Sequence, residues 1–160
     1  SGMTATEERK QIVDFSDVYC TSSVGCVTKA DSDINSFENL QNQIVCCSQG
    51  TNYEMMIEDI PGTTLKTYQG QAAVGTAVAE ATDGVAAGLT SINGAKKLAT
   101  TMLDADGNPM LKYFALEGAR ADEYCMAFPK GSELTAIFNE GIQALKDSGK
   151  LEELIQYWLY

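Results

Sequence analysis

The chain of 160 residues suits one ordinary domain or two small lobes, and its 44 % hydrophobic and 21 % charged residues are globular values. Its 22 acidic against 11 basic residues give a net charge of −11, which argues against nucleic acid, whose phosphates need clustered Lys and Arg, and disfavours an anionic membrane surface. The absence of histidine removes any Ser-His-Asp or Cys-His pair and deprives a catalytic zinc site of its commonest nitrogen ligand.

The opening stretch "SGMTATEERKQIVDFSDVY" has no lead-in of its own. Its single arginine, Arg9, stands among Glu7, Glu8 and Asp14, beside Thr4 and Thr6 and ahead of a strand-like run. An arginine held by a rigid strand can grip a carboxylate bidentately. A solvated one would pair with Glu7 or Glu8 for little gain. The first ten residues are polar, so they form no signal peptide, and no apolar run approaches the roughly 20 residues that span a bilayer. The expectation is a cytosolic protein, or one whose N-terminal part is missing from this chain.

Strand-like and helix-like runs then alternate. "GCVTKA" (25–30) reads as a strand and "SFENLQNQ" as a weakly capped helix with Ser36 at its N-cap. "QIVCCS" (43–48) is an unbroken apolar strand of the doubly covered, parallel kind. "QGTNYEMMIEDI" turns helical after Gly50-Thr51, with Tyr53, Met56, Ile57 and Ile60 at helical spacing, and Pro61-Gly62 ends it. "TTLKTY" (63–68) is a strand, "GQAAVGTAVAEAT" (70–82) a helix, "DGVAAGL" (83–89) a strand and "INGAKKLATTML" a helix. After the turn cluster "DADGNPM" come the strands "LKYFAL" (111–116) and "YCMAF" (124–128). Two amphipathic helices broken at Gly149 close the chain. Strands separated by helices imply βαβ units and a mostly parallel sheet. The closing helices carry more apolar surface than the preceding elements can cover.

Three local features invite chemistry. Gly50-Thr51 lies between a strand and a helix, where backbone amides can hold a carboxylate or phosphate, although an ordinary helix cap explains it as well. No Gly-Lys-Ser/Thr follows, so a Walker loop is excluded. "DADGNP" starts like an EF-hand loop, but the twelfth position is Leu116, and the stretch reads as a turn. The cysteines Cys20, Cys26, Cys46, Cys47 and Cys125 lack metal spacing and read as small buried hydrophobes, though Cys20 and Cys26 could approach across a turn.

Together these pieces are ordered like a known family. Thr6, Arg9, Val13, Phe15, Ser16 and Tyr19 resemble the Thr-x-x-Arg … Phe-Ser-x-x-Tyr hinge signature of periplasmic amino-acid-binding proteins, the solute-binding subunits of ABC importers. "INSFENLQNQIVCCSQGTNYE" is similar to the segment of that family ending in Gly-Thr, and "EATDGVAAG" to its "G-x-x-Da" strand. Lys130, Gly131, Leu134, Asn139, Gly149, Ile155 and Trp158 match its ending. The resemblance runs from Met3 to Leu159 and points to solute-binding protein family 3.

The resemblance implies a type II periplasmic binding fold: an α/β lobe with a mostly parallel sheet flanked by helices, plus C-terminal helices from a second, incomplete lobe. Residues 1–16 would be hinge and lobe 1, 17–112 the complete lobe 2, and 113–160 the return hinge and the rest of lobe 1. The first half of lobe 1 would be missing, making this a truncated form. A polar amino acid or related carboxylate would bind in an interlobe cleft. Arg9 would grip the ligand α-carboxylate, beside Gly2 and Thr4. Gly50, Thr51 and Asn52 would hold the same carboxylate from lobe 2. The family's ammonium-binding acid is replaced, counting from Asp83, by Gly88.

The resemblance further implies no catalysis and no cofactor. It implies an extracytoplasmic setting, in the periplasm or lipid-anchored, and an ABC permease as partner of the full-length protein. A sensor ectodomain of the same fold is the first alternative. A dehydratase-like enzyme is the second, with Asp83 and Glu54 as the carboxylates to test. By itself the chain is expected to form a homo-oligomer or a domain-swapped dimer through Phe138, Leu145, Ile155 and Trp158.

Overall fold

The computed structural model describes residues 2–159 and divides into two units, one formed by the residues up to Ser22 with those from Asp122 on, the other by Ser23–Ala121. Ser1 and Tyr160, which close the predicted segments 1–16 and 113–160, lie outside the described residues. The first unit opens with β1 (Met3–Thr4), α1 (Glu7–Lys10), β2 (Val13–Phe15) and β3 (Cys20–Ser22).

The second unit contains β4 (Val24–Lys29), β5 (Ile44–Ser48), α2 (Tyr53–Glu58), β6 (Thr64–Tyr68), α3 (Gly70–Ala79), β7 (Val85–Ser91), α4 (Ile92–Thr101) and β8 (Leu111–Ala115). Its five strands form one sheet in the order β6-β5-β7-β4-β8. β5 runs parallel to β6 and β7, whereas β4 is antiparallel to both β7 and β8. Four strands therefore share one direction and β4 alone is reversed. The expected βαβ logic holds from β5 to α4, where a helix follows each of β5, β6 and β7. It does not hold for β4, which reaches β5 through the irregular segment 30–43 and needs no common direction.

Within that segment, the helix expected over "SFENLQNQ" is reduced to a 3-10 turn at Glu38–Leu40. The Ser36 hydroxyl meets Asn39 Oδ1 at 3.3 Å rather than capping a helix, and the buried Leu40 fixes the turn. Both sheet faces are covered, as the unbroken apolar run of β5 requires. Val45 and Cys47 join Val24, Leu40, Ile57, Ile60 and Leu89 on the face under α2. Cys46 joins Val27, Val74, Val78, Leu98 and Leu111 on the face under α3 and α4. Each large side chain fully buried here contributes about 1.5–3 kcal/mol.

The first unit is completed by β9 (Asp122–Cys125), β10 (Ala127–Pro129), α5 (Leu134–Asp147) and α6 (Lys150–Leu159). The single strand predicted at 124–128 is split at Met126. β9 joins the antiparallel sheet β1-β9-β3, and β10 pairs with β2. Of α5 only Ile142 is buried, and α6 buries no residue among those described. Leu134, Ile137, Phe138, Leu145, Leu154, Tyr157 and Trp158 are exposed. No helix among the described residues is long and apolar enough to cross a membrane.

Candidate functional site

Arg9 is placed by a short helix, not by the strand its sequence context suggested. Thr6 adopts extended backbone geometry, and its hydroxyl accepts the Arg9 amide at 3.2 Å, which starts the single turn α1. The Lys10 amide reaches the Thr6 carbonyl at 2.9 Å. Arg9 Nη1 then donates to the Thr4 carbonyl at 3.0 Å. Glu7, a partner expected of a surface arginine, carries an ion pair with Lys10 at 2.7 Å. Arg9 is half-buried and held from its own chain on two sides. The Gly2 amide donates to the Tyr19 hydroxyl at 2.9 Å, a second contact beside the Arg9–Thr4 bond in the first unit.

In the second unit, β5 ends at Ser48 and the chain turns through Gly50, whose φ is +77°. The left-handed geometry suits glycine and allows the turn into α2. Thr51 Oγ1 donates to the Ser48 carbonyl at 2.7 Å, and Asn52 holds the N-cap position of α2. The Gly50 amide donates to Glu54 Oε1 at 2.5 Å. A carboxylate thus already sits on one of the amides that the sequence assigned to anion binding. Gly50, Thr51 and Asn52 are brought together on one turn, as chain neighbours must be.

Gly88 is not at a site. It lies in the middle of β7, opposite Val27 and Cys46, and faces the helix layer. A Cβ there would meet Val74 Cγ1 at 2.8 Å and the side chains of Val27 and Val78 at 3.2 Å. The replacement of an ammonium-binding acid at position 88 therefore falls away, because α3 packs directly on that backbone. Thr90 and Ser91 stand at the carboxyl end of the same strand, where Ser91 Oγ accepts the Gly94 amide at 3.1 Å and caps α4.

The other features are structural. Asp104 Oδ1 accepts the amides of Asp106 at 2.9 Å and Asn108 at 2.8 Å, so "DADGNP" is a turn whose backbone bonds hold the Asp104 carboxyl below its ordinary value. All five cysteines are buried free thiols, and Cys20 and Cys26 are not bridged. Burial pushes Cys46 up to about 12 and Cys47 up to about 11, which leaves neither nucleophilic at neutral pH.

Several contacts between residues already singled out escaped the sequence reading. Asp14 binds Lys130 through Oδ1 at 2.8 Å and the Gly131 amide through Oδ2 at 2.6 Å. Asn139 Oδ1 accepts the Asp17 amide at 2.8 Å. Ser16 exchanges two 2.9 Å bonds with the backbone of Met126, one through its amide and one through its hydroxyl. The two ends of the chain are thereby tied together. No spacing signal could reveal such pairs, whose members lie more than a hundred positions apart.

A family model described as bacterial extracellular solute-binding proteins, family 3, matches residues 1–160. The arginine-binding extracellular protein ArtP of Bacillus subtilis (strain 168) is 34 % identical over 166 residues, covering 99 % of this chain and 61 % of that protein. The ABC transporter glutamine-binding protein GlnH of the same organism is 32 % identical over 162 residues, covering 98 % of this chain and 55 % of that protein. The chain thus spans less than two thirds of the length of these relatives. Among solved structures, the arginine-, lysine-, histidine-binding protein ArtJ of Geobacillus stearothermophilus matches with a TM-score of 0.82 at 26 % identity, over 99 % of this chain and 68 % of that one. The substrate binding protein of an amino acid ABC transporter matches with a TM-score of 0.80 at 28 % identity, again over 99 % and 68 %.

Proposed function

Because the chain belongs to the bacterial extracellular solute-binding proteins of family 3, we propose that it is part of the solute-binding subunit of an ABC importer and binds a polar amino acid or a related small carboxylate. The observation that carries this reading is the preparation of Arg9. Its amide is fixed by Thr6 and its guanidinium is steered by the Thr4 carbonyl. Such anchoring reduces the side-chain entropy lost when a carboxylate is taken bidentately. In this reading Gly2 and Thr4 flank the grip. Gly50, Thr51 and Asn52 offer the second one, where ligand oxygen would displace the Glu54 carboxylate from the Gly50 amide.

Relatives in this family include proteins named for binding arginine and glutamine, which supports an amino-acid ligand. The second unit would be the inserted lobe of the fold, and the first unit part of the other lobe. The full-length protein would work outside the cytoplasm, in a periplasm or anchored by lipid, and would deliver its ligand to a permease.

We take the function to be binding without catalysis. The two carboxylates that an enzyme could use are engaged and apart. Glu54 caps the turn beyond the carboxyl end of β5. Asp83 precedes the amino end of the parallel strand β7 and pairs with Lys66 at 3.2 Å.

The test is a thermal-shift screen of the full-length protein against a panel of amino acids. At least one polar amino acid is expected to raise the melting temperature. A panel without effect contradicts the assignment.

A further inference from the structure

The segment 116–121, which leads from β8 toward β9, is apolar at Leu116 and then small or charged: Glu117, Gly118, Ala119, Arg120, Ala121. Leu116 is buried, and its amide donates to the Val24 carbonyl at 2.8 Å, which pins this strap to the start of β4. Gly118, at a φ of +84°, turns the chain, and the Ala119 amide closes the turn on the Leu116 carbonyl at 3.3 Å. Leu116 and Ala119 thereby join the apolar cluster under α2, with Phe37, Met56, Ile60 and Leu89.

These six side chains do not close on one another. They line a cavity of about 180 Å³. The short residues of the strap leave this space, since even a Cβ added at Gly118 would meet nothing within 4 Å. An apolar cavity of about 150 Å³ lined by leucine, isoleucine and phenylalanine stays dry and takes up benzene. Ile60, Leu89 and Leu116 are buried here, and their side chains offer water no hydrogen bond.

The lining also selects among apolar guests. Phe37 and Met56, both half-buried, bring a ring and a thioether, and each makes favourable contacts with an aromatic ring. The two charged residues of the lining, Asp59 and Arg120, are exposed and opposite in sign. Together they favour neither a cation nor an anion, and a charge carried past them to Leu89 would be buried among apolar groups. The geometry points to a ligand site beneath the strap 116–121 that takes a small, uncharged aromatic ring. It lies wholly in the second unit and uses none of Arg9, Gly50, Thr51 or Asn52, so it does not depend on the amino-acid-binding reading.

Methyl-resolved NMR of the full-length protein, titrated with benzene, benzoate and benzylammonium, tests it, together with Ala119→Leu. Benzene is expected to show nuclear Overhauser contacts to the methyl groups of Met56, Ile60, Leu89 and Leu116, to saturate at millimolar concentration and to raise the melting temperature. Benzoate and benzylammonium are expected to bind at least about tenfold more weakly, because each would bury a charge. Ala119→Leu puts a larger side chain into the space and is expected to weaken benzene binding about tenfold, with the fold intact by circular dichroism. If that variant does not fold, the contacts in the unaltered protein decide. Their absence overturns the proposal, as does benzene lodging only on the exposed faces of α5 and α6. So does a charged probe held as tightly as benzene, or full benzene affinity in a folded Ala119→Leu. A panel of amino acids without effect removes the functional reading and leaves each of these outcomes as it stands.

Discussion

Asp14 accepts the amide of Gly131 at 2.6 Å across 117 positions of the chain. The same carboxylate holds Lys130 at 2.8 Å, and Lys130 also donates to the Lys10 carbonyl at 2.8 Å. The contact locks the β2–β10 ladder just beyond α1, the turn that carries Arg9. A residue that looked like one more surface acid therefore braces the candidate grip.

The bond to Lys130, with help from the Gly131 amide, lowers the Asp14 carboxyl below its ordinary value of 3.8. A depressed carboxyl stabilises the fold above its unfolded value, and that contribution is lost as pH falls through the folded value. Stability should therefore decline below about pH 4 partly through this group. In Asp14→Asn that part of the acid sensitivity should disappear. Urea unfolding at pH 3 and pH 7 checks this, and equal pH dependence in both proteins contradicts it.

Gly88→Ala should destabilise the protein by about 1–3 kcal/mol, the usual cost of overpacking a well-filled core. The added Cβ would press on Val74 at 2.8 Å, where α3 lies on the sheet. Urea denaturation gives the number. A neutral Gly88→Ala variant with weakened ligand binding would place this residue at a site and not in the core.

Much of the second unit was legible in the sequence because its cues are local. The apolar run of β5, the helical spacing of Tyr53, Ile57 and Ile60, and the helical run beginning at Ile92 each act within a few residues. The weak cap at Ser36 was legible too, and the helix it failed to support is a single 3-10 turn. The reversal of β4 was not, since direction depends on which strands it pairs with. Nor was the helical setting of Arg9, which one hydroxyl at Thr6 decides. Gly88 misled because the count began at Asp83, which lies before β7 in a left-handed turn, so its parity does not carry into the strand.

The apolar faces of α5 and α6 should make the 160-residue chain associate with itself. Phe138 stacks on Phe128 at 5.1 Å yet stays exposed, and Trp158 is 74 % exposed. Exposed apolar patches of this kind mark interfaces. Expressed by itself, the chain should run above monomer size in light scattering at micromolar concentration. Glu or Lys at 137, 138 and 158 should restore the monomer. A monodisperse monomer without those changes contradicts this expectation.

The central claim is that an amino acid binds through Arg9, and one comparison tests it most directly. The full-length protein and its Arg9→Lys variant are titrated calorimetrically with the amino acid that gives the largest thermal shift. Lysine keeps the charge and loses the planar fork, so affinity should fall about ten- to a hundredfold, the worth of a hydrogen bond to a charged group, with the fold intact by circular dichroism. Unchanged affinity in Arg9→Lys and in Arg9→Ala would remove Arg9 from the site and contradict the account.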